Sequence, residues 1–438
     1  MSFSVLFSIL TISFSFCSFA GVWTASNSWS PEKEKEFSVW VQKNWGKDFF
    51  LKKENKDGSA NIFQGLRVDC ADTVYSSRVI FAYLNSLPFV MNDPSGGKKL
   101  ISNNMTRWDA KSEKDKIRSF LIYVYNLVST KSMHGDTYPV KVSRETIVPG
   151  SIILTTEKNH HSWVIKNIFP TGIPHLVFNS TVGAYSGPLL QERKSWPNGD
   201  WVFEGNTTPK GNAGVRYWRK ESELKLPVWQ VSGYSEEQYA IKPGKWKYDL
   251  QKVLQSTEES NQQTATRLIE NICADIQQRI DAVKESEAFL KSVSYRCMSE
   301  EEFDNYSTPS RDRRLADEII YLRNFLKTLV QDRNELSLDE KTWQKLKVVF
   351  PDLTATIATE SQNQRRTVAG AASLCRVKHY SRREGAEKSI DLAEMKRRLF
   401  TNRLSSNPNH PPEVRFGEDV NVKNSCPSWG NLKLTYVE

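Results

Sequence analysis

A cysteine thiol attacks a carbonyl only once its proton has left, and a helix N-terminus or a neighbouring imidazole helps that proton leave. Cys70 is placed for the first effect. After it Ala71, Val74, Phe81 and Leu84 recur at helical spacing, so Cys70 stands at or just before a first turn. A base must come from the histidines at 134, 160, 161, 175, 379 and 410. His161 opens the run His161-Ser162-Trp163-Val164-Ile165 after the turn Lys158-Asn159, which reads as the start of a strand. If that strand packs on the cysteine's helix, the imidazole meets the thiol. Asn179 ends the next strand-like run, His175 to Asn179, and is a third polar group to orient the imidazole; His175 on the same run is the alternative third member. The set Cys70, His161 and Asn179 is therefore arranged for thiolate attack on an amide. The backbone N–H of Cys70 is one oxyanion donor, and Gln64, six residues upstream, is a side-chain candidate for a second. A small buried residue at a helix start remains the plain alternative for Cys70.

The remaining cysteines sharpen this. The first twenty residues are uncharged and mostly apolar and end in Ser18-Phe19-Ala20, which reads as a signal peptide over 1–20 that removes Cys17. That leaves Cys70, Cys273, Cys297, Cys375 and Cys426, an odd number in an exported, oxidising setting. The four distal cysteines fall most simply into local pairs, Cys273 with Cys297 and Cys375 with Cys426, with the connectivity left open by sequence, and Cys70 is the thiol left over. No later stretch is long and apolar enough to span a membrane. The formal charge of +9 suits an anionic envelope polymer as partner, or simply a solvated basic surface.

The elements that must position these residues divide the chain near Trp246. Eleven of the thirteen tryptophans lie at or before it, together with most Gly, Pro and Asn turn signals, while long charged segments of helical period follow. The expected layout is a domain over 21–245 and a helical domain over 246–438. In the first, Pro31 to Trp45 reads as a helix capped by Ser30, the Cys70 segment as another, and Ser151–Thr155, Ser162–Lys166 and His175–Asn179 as strands. This is an α+β fold with the cysteine helix packed on a small antiparallel sheet. In the second, Tyr248–Leu254, Ala265–Val293, Arg314–Val330 and Leu392–Phe400 read as helices, the apolar stripe Leu268, Ile272, Ile276, Ile280 and Val283 seeking a partner.

Asp69-Cys70-Ala71-Asp72, a helix ending at Leu87-Pro88-Phe89, then Pro149-Gly150-Ser151 before a strand and a histidine-led strand after it, resemble papain-like cell-wall hydrolases, the NlpC-type peptidases and CHAP amidases. The likeness runs from Gly65 to Thr181. Those families carry Asp-Cys-Ser-Gly and Pro-Gly-Asp; here Ala71-Asp72 and Ser151 replace three of these letters, and the ninety-one positions from Cys70 to His161 require an insertion. The resemblance implies a papain-like fold, Cys70 as nucleophile, His161 as base, Asn179 or His175 as orienter, and a peptide or peptidoglycan substrate. Transglutaminase-like proteins are also similar, through Cys70-Ala71-Asp72, His161-Ser162-Trp163 and Asn179-Ser180-Thr181, where they place Asp-Pro-Thr. That resemblance implies the same triad with amide hydrolysis or transfer. The altered letters equally fit an envelope binding or structural protein that has lost catalysis.

Other chemistries find less support. Adjacent His160 and His161 point to opposite faces of a strand, with His161 expected inward and His160 toward solvent, and no metal-ligand spacing accompanies them. No glycine loop or nucleic-acid motif is present, so no metal, cofactor or nucleic acid is expected. Trp29, Trp40, Trp45, Trp108, Trp196, Trp201 and Trp218 line either a groove or the core. The basic stretches Arg311–Arg314, Arg376–Arg383 and Lys396–Arg398 contact acidic polymer or are solvated helix faces. The reading reached is an exported cysteine peptidase or amidase, or its inactive counterpart.

Overall fold

The computed structural model describes residues 21–155, 160–179, 186–203, 212–366, 370, 373–382, 385–418, 425–436 and 438. The expected signal segment 1–20, the Lys158-Asn159 turn, Ser180 and Thr181 lie outside the described residues. The fold is mixed α and β with small antiparallel sheets.

In chain order the first half contains α1 (Pro31–Asn44), α2 (Cys70–Leu84), the short pair β1 (Val90–Met91) and β2 (Ile101–Ser102), α3 (Glu113–Tyr125), β3 (Thr137–Pro139), β4 (Ile152–Thr155), β5 (His161–Ile168), β6 (Pro174–Phe178), β7 (Gln191–Arg193), α4 (Gly199–Val202), β8 (Gly214–Trp218) and α5 (Pro243–Leu254). The second half contains α6 (Asn261–Ser292), α7 (Glu300–Tyr306), α8 (Pro309–Gln331), α9 (Glu340–Val349), α10 (Ile357–Asn363), β9 (Val377–Ser381), β10 (Ala386–Ile390), α11 (Leu392–Phe400) and α12 (Pro412–Arg415). Helix α1 starts where the sequence places it, with Pro31 in the first turn and the Ser30 hydroxyl accepting from the Lys33 N–H. The basic run Arg376–Arg383 includes strand β9 rather than a helix face.

Six strands form one antiparallel sheet in the order β3-β8-β4-β5-β6-β7. Both faces are covered. Ile152, Leu154, Val164 and Val177 pack with α2 and α1. Ile153, Trp163, Ile165, Leu176 and Phe178 pack on the other side with Trp196 and with Trp246, Leu250 and Leu254 of α5. Helix α5 thus closes the sheet's second core, and the helical core begins at α6 rather than at residue 246. Helix α2 is buried along its whole run from Cys70 to Ala82, because α1, α3 and the sheet surround it. Its one guanidinium, Arg78, is paired through two hydrogen bonds of 2.6 and 2.7 Å with Glu34 of α1 and lies 3.3 Å from the Trp29 ring centre. Trp45, Trp108, Trp196 and Trp218 are buried and Trp29 and Trp40 pack against the first core, so these tryptophans are packing residues.

The disulfides join Cys273 to Cys375 and Cys297 to Cys426, which overturns the expected local pairs. The reason is geometric. Cys273 lies inside the 32-residue α6, and the helix runs a further ~28 Å past it before Cys297 is reached, far outside disulfide reach. Cys70 is the free cysteine, as the odd count implied.

Candidate functional site

Cys70 is the first residue of α2. The Asp69 carboxylate caps the helix by accepting from the Asp72 N–H at 2.9 Å, and the Asp72 carboxyl accepts in return from the Asp69 N–H at 3.0 Å. The two aspartates therefore hold the turn that carries the cysteine. Strand β5 meets the same turn: the Ser162 hydroxyl donates to the Cys70 carbonyl at 2.9 Å, and the backbone N–H groups of Ser162 and Ala71 approach the sulfur. The thiol is 4 % exposed.

Electrostatics hold the proton on. Burial pushes the Cys70 thiol well up, the Asp69 charge adds to it, and the two N–H groups oppose both. Burial and then the Asp69 charge also push Asp72 up, to about 8, while Asp69 itself is raised by burial. The second oxygen of Asp72, Oδ1, is buried without a hydrogen-bond partner among the described residues.

His161 is buried but faces away from Cys70. Strand alternation decides this: Ser162 and Val164 face α2, so His161, Trp163 and Ile165 face the other core. The His161 ring lies 4.2 Å from the Trp163 ring and 5.3 Å from that of Phe178, edge to face with both. Burial, then the charges of Arg314 and Arg311 on the helical half, hold its pKa well below the ordinary histidine value. The expected Cys70–His161 pair is therefore split across the sheet. His160 stands one residue before β5; it is half-buried, with its Nδ1 atom enclosed.

Asn179 lies one residue beyond β6, opposite Ser162 in the register that pairs Val164 with Val177, and so on the Cys70 face. Its amide donates to the carbonyls of Val68 at 2.8 Å and Gly187 at 3.1 Å. It fastens the bridge between Val68 and Gly187, which delivers the chain into Asp69 and Cys70. It does not sit on the face of His161. His175 is ~13 Å along β6 from Asn179 at four residues' remove, with its Nε2 3.2 Å from a Glu192 carboxylate oxygen and its ring stacked on Phe169. That excludes it as third member, and its hydrogen bond holds Glu192 down at about 2. Gln64 is exposed, with its side-chain amide turned to the Leu51 carbonyl at 3.4 Å, and the donors beside the sulfur are backbone N–H groups.

Comparison with family models, with curated proteins and with solved structures returns no match. Among the described residues no helix is long and apolar enough to cross a membrane. Of the basic stretches, Lys396 and Arg398 are buried in pairs with Glu360 and Glu394, and Arg314 is paired with Asp275, which takes three cations away from any outside polymer.

Proposed function

We propose that the chain is an exported cysteine-dependent amide hydrolase of papain-like architecture, acting on peptide bonds of the peptidoglycan type, with Cys70 as nucleophile and His160, in place of His161, as base. The supporting observation is that the thiol outside the disulfides stands at the first residue of a buried helix, with backbone N–H groups at its sulfur and Asn179 on its side of the sheet; His160 is the half-buried histidine next to the strand that meets this turn. In such a site the proton passes to His160 as sulfur attacks the carbonyl, so no standing thiolate is needed, and the N–H groups of Ser162 and Ala71 receive the developing oxyanion. Asn179 is the polar group suited to orient the imidazole. Two disulfides fit an exported protein. The transglutaminase-like alternative, amide transfer, uses the same thiol, and the position of the His161 imidazole across the sheet bears on both readings equally.

A second reading, a binding or structural protein on the same scaffold, is favoured by the deep burial of Cys70 and the two carboxylates that raise its pKa. One assay separates them: cleavage of peptidoglycan stem peptides by the wild type and by Cys70→Ala, His160→Ala and His161→Phe. The hydrolase reading expects no cleavage from Cys70→Ala, a loss of about 10²–10⁴-fold in His160→Ala and a change within a few-fold in His161→Phe. A folded wild type that cleaves nothing, with iodoacetamide labelling of Cys70 unaltered by His160→Ala, establishes the binding scaffold instead.

A further inference from the structure

Residues 425–436 and Glu438 form no helix or strand, yet they lie along the helical half. Leu432, Leu434 and Tyr436 are half-buried while Lys433 and Thr435 are exposed, the period of two of an extended chain with one face down. Trp429 and Leu432 pack on Leu290, Met298 and Phe303 at the corner between α6 and α7. Leu434 and Tyr436 pack on the main helical core, with Tyr436 edge to face on Phe400 at 4.9 Å. The Glu438 carboxylate accepts from Arg323 at 2.5 Å and from the Ile357 N–H at 2.9 Å.

This strap is held by side chains and one covalent bond. Among the described residues no backbone-to-backbone hydrogen bond joins 427–436 to the helices, and none of these residues is fully buried. The Trp429 Nε1 is enclosed with no hydrogen-bond partner among the described residues, a cost that contact with water removes. Lifting Glu438 strands no charge, because Arg323 keeps Glu360 at 2.9 Å and the carbonyls of Asp352 and Ala355. Segments with so few ties open locally before the fold does. The bond that fixes this one is Cys297–Cys426, and the two bridges differ in access. Cys297 stands exposed in the link between α6 and α7. Cys273 lies inside α6, and Cys375 packs on the helical core with its sulfur 3.7 Å from the Ile269 carbonyl.

We infer that Cys297–Cys426 is a reducible latch: opened by a dithiol, it frees the strap and bares Leu290, Met298 and Phe303 while the helices stay folded. One thiolate of the dithiol attacks the Cys297 sulfur, the S–S bond breaks, and Cys426 leaves as a thiolate that takes up a proton. The dithiol's second thiolate then closes on the mixed disulfide, so two electrons pass to the protein, both cysteines end as thiols and the reductant departs as its disulfide. In an oxidising compartment the latch is shut; it opens where such a reductant is met. The hydrolase reading is not needed for this, since Cys70 takes no part.

The test is graded reduction of the full chain with dithiothreitol under native conditions, quenched with iodoacetamide and mapped by peptide mass, beside amide hydrogen exchange. Cys297 and Cys426 are expected to be alkylated at least about tenfold faster than Cys273 and Cys375, since access to the sulfur sets the rate. Amides of 427–436 should then exchange freely while those of α6 and α8 remain protected, and Cys297→Ser combined with Cys426→Ser should free the same amides without reductant. If the double variant does not fold, graded reduction of the wild type decides alone. The latch is overturned by both bridges opening at one rate, by protection of 427–436 that survives the opened bond, or by loss of protection in α6 and α8 together with the strap.

Discussion

The proton on Cys70 is held first by burial and then by the nearest carboxylates. At neutral pH burial keeps Asp72 protonated and Asp69 supplies the closest negative charge, so the thiol is disfavoured as thiolate even at a helix start. Asp72→Asn keeps an oxygen to accept from the Asp69 N–H, and so keeps the cap, while removing the charge that appears above pH 8. Iodoacetamide labelling of Cys70 is expected to be unchanged by this substitution at pH 6 and to accelerate, up to about tenfold for one pKa unit, at pH 9. Equal rates at pH 9 would show that Asp72 does not act on the thiol. The same proton bears on stability: Asp72 is raised from 3.8 to about 8, so the folded chain holds its proton more tightly than the unfolded chain. That contribution is complete below pH 4 and fades as pH rises through 8.

At the level of elements, β5 decides the site. Residues 161–165 are all buried because one face of the strand packs on α2 and the other on α5 and Trp196. A strand covered on both sides has no polar alternation, so its sequence does not reveal which face is which. That is why the pattern did not show that His161 faces away from Cys70, although the strand itself and the helices α1, α2 and α11 were legible from capping residues and spacing. The burial of His161 has a measurable sign. Its folded pKa is depressed, so stability is lost as pH falls through the unfolded value near 6.5, when only the unfolded chain takes up the proton. His161→Phe retains the ring contacts with Trp163 and Phe178 and titrates nowhere. Between pH 7 and 5 its melting temperature should fall less than that of the wild type; parallel curves would mean that this imidazole does not report on acid stability.

The whole molecule is joined by charge at the sheet edge. Arg193, at the end of β7, donates to both oxygens of Asp275 on α6 at 2.9 and 3.1 Å and to Glu318 on α8 at 2.7 Å, and Lys247 of α5 reaches Glu318 at 3.1 Å. All but Lys247 are almost fully enclosed. Removing one partner of such a network strands buried charge, so Arg193→Ala is expected to destabilise by about 3–5 kcal/mol. Because the network ties the sheet to the helical half, urea denaturation should show a single transition moved to lower urea; two separated transitions in the wild type would show that the halves unfold independently.

By itself the sequence determined what local rules control. Helix starts follow from Ser30, Pro31 and Asp69, strand runs follow from apolar stretches bounded by turns, and a spare thiol follows from an odd cysteine count. Tertiary structure alone decided what depends on distant surfaces. It set that His161 faces away from Cys70, because that phase is chosen by the packing of α2 against β5. It set the disulfide partners, because a straight α6 carries Cys273 away from Cys297 and toward Cys375. It also gave α5 to the sheet, because the apolar face of Trp246, Leu250 and Leu254 finds its complement there and not in the helical core.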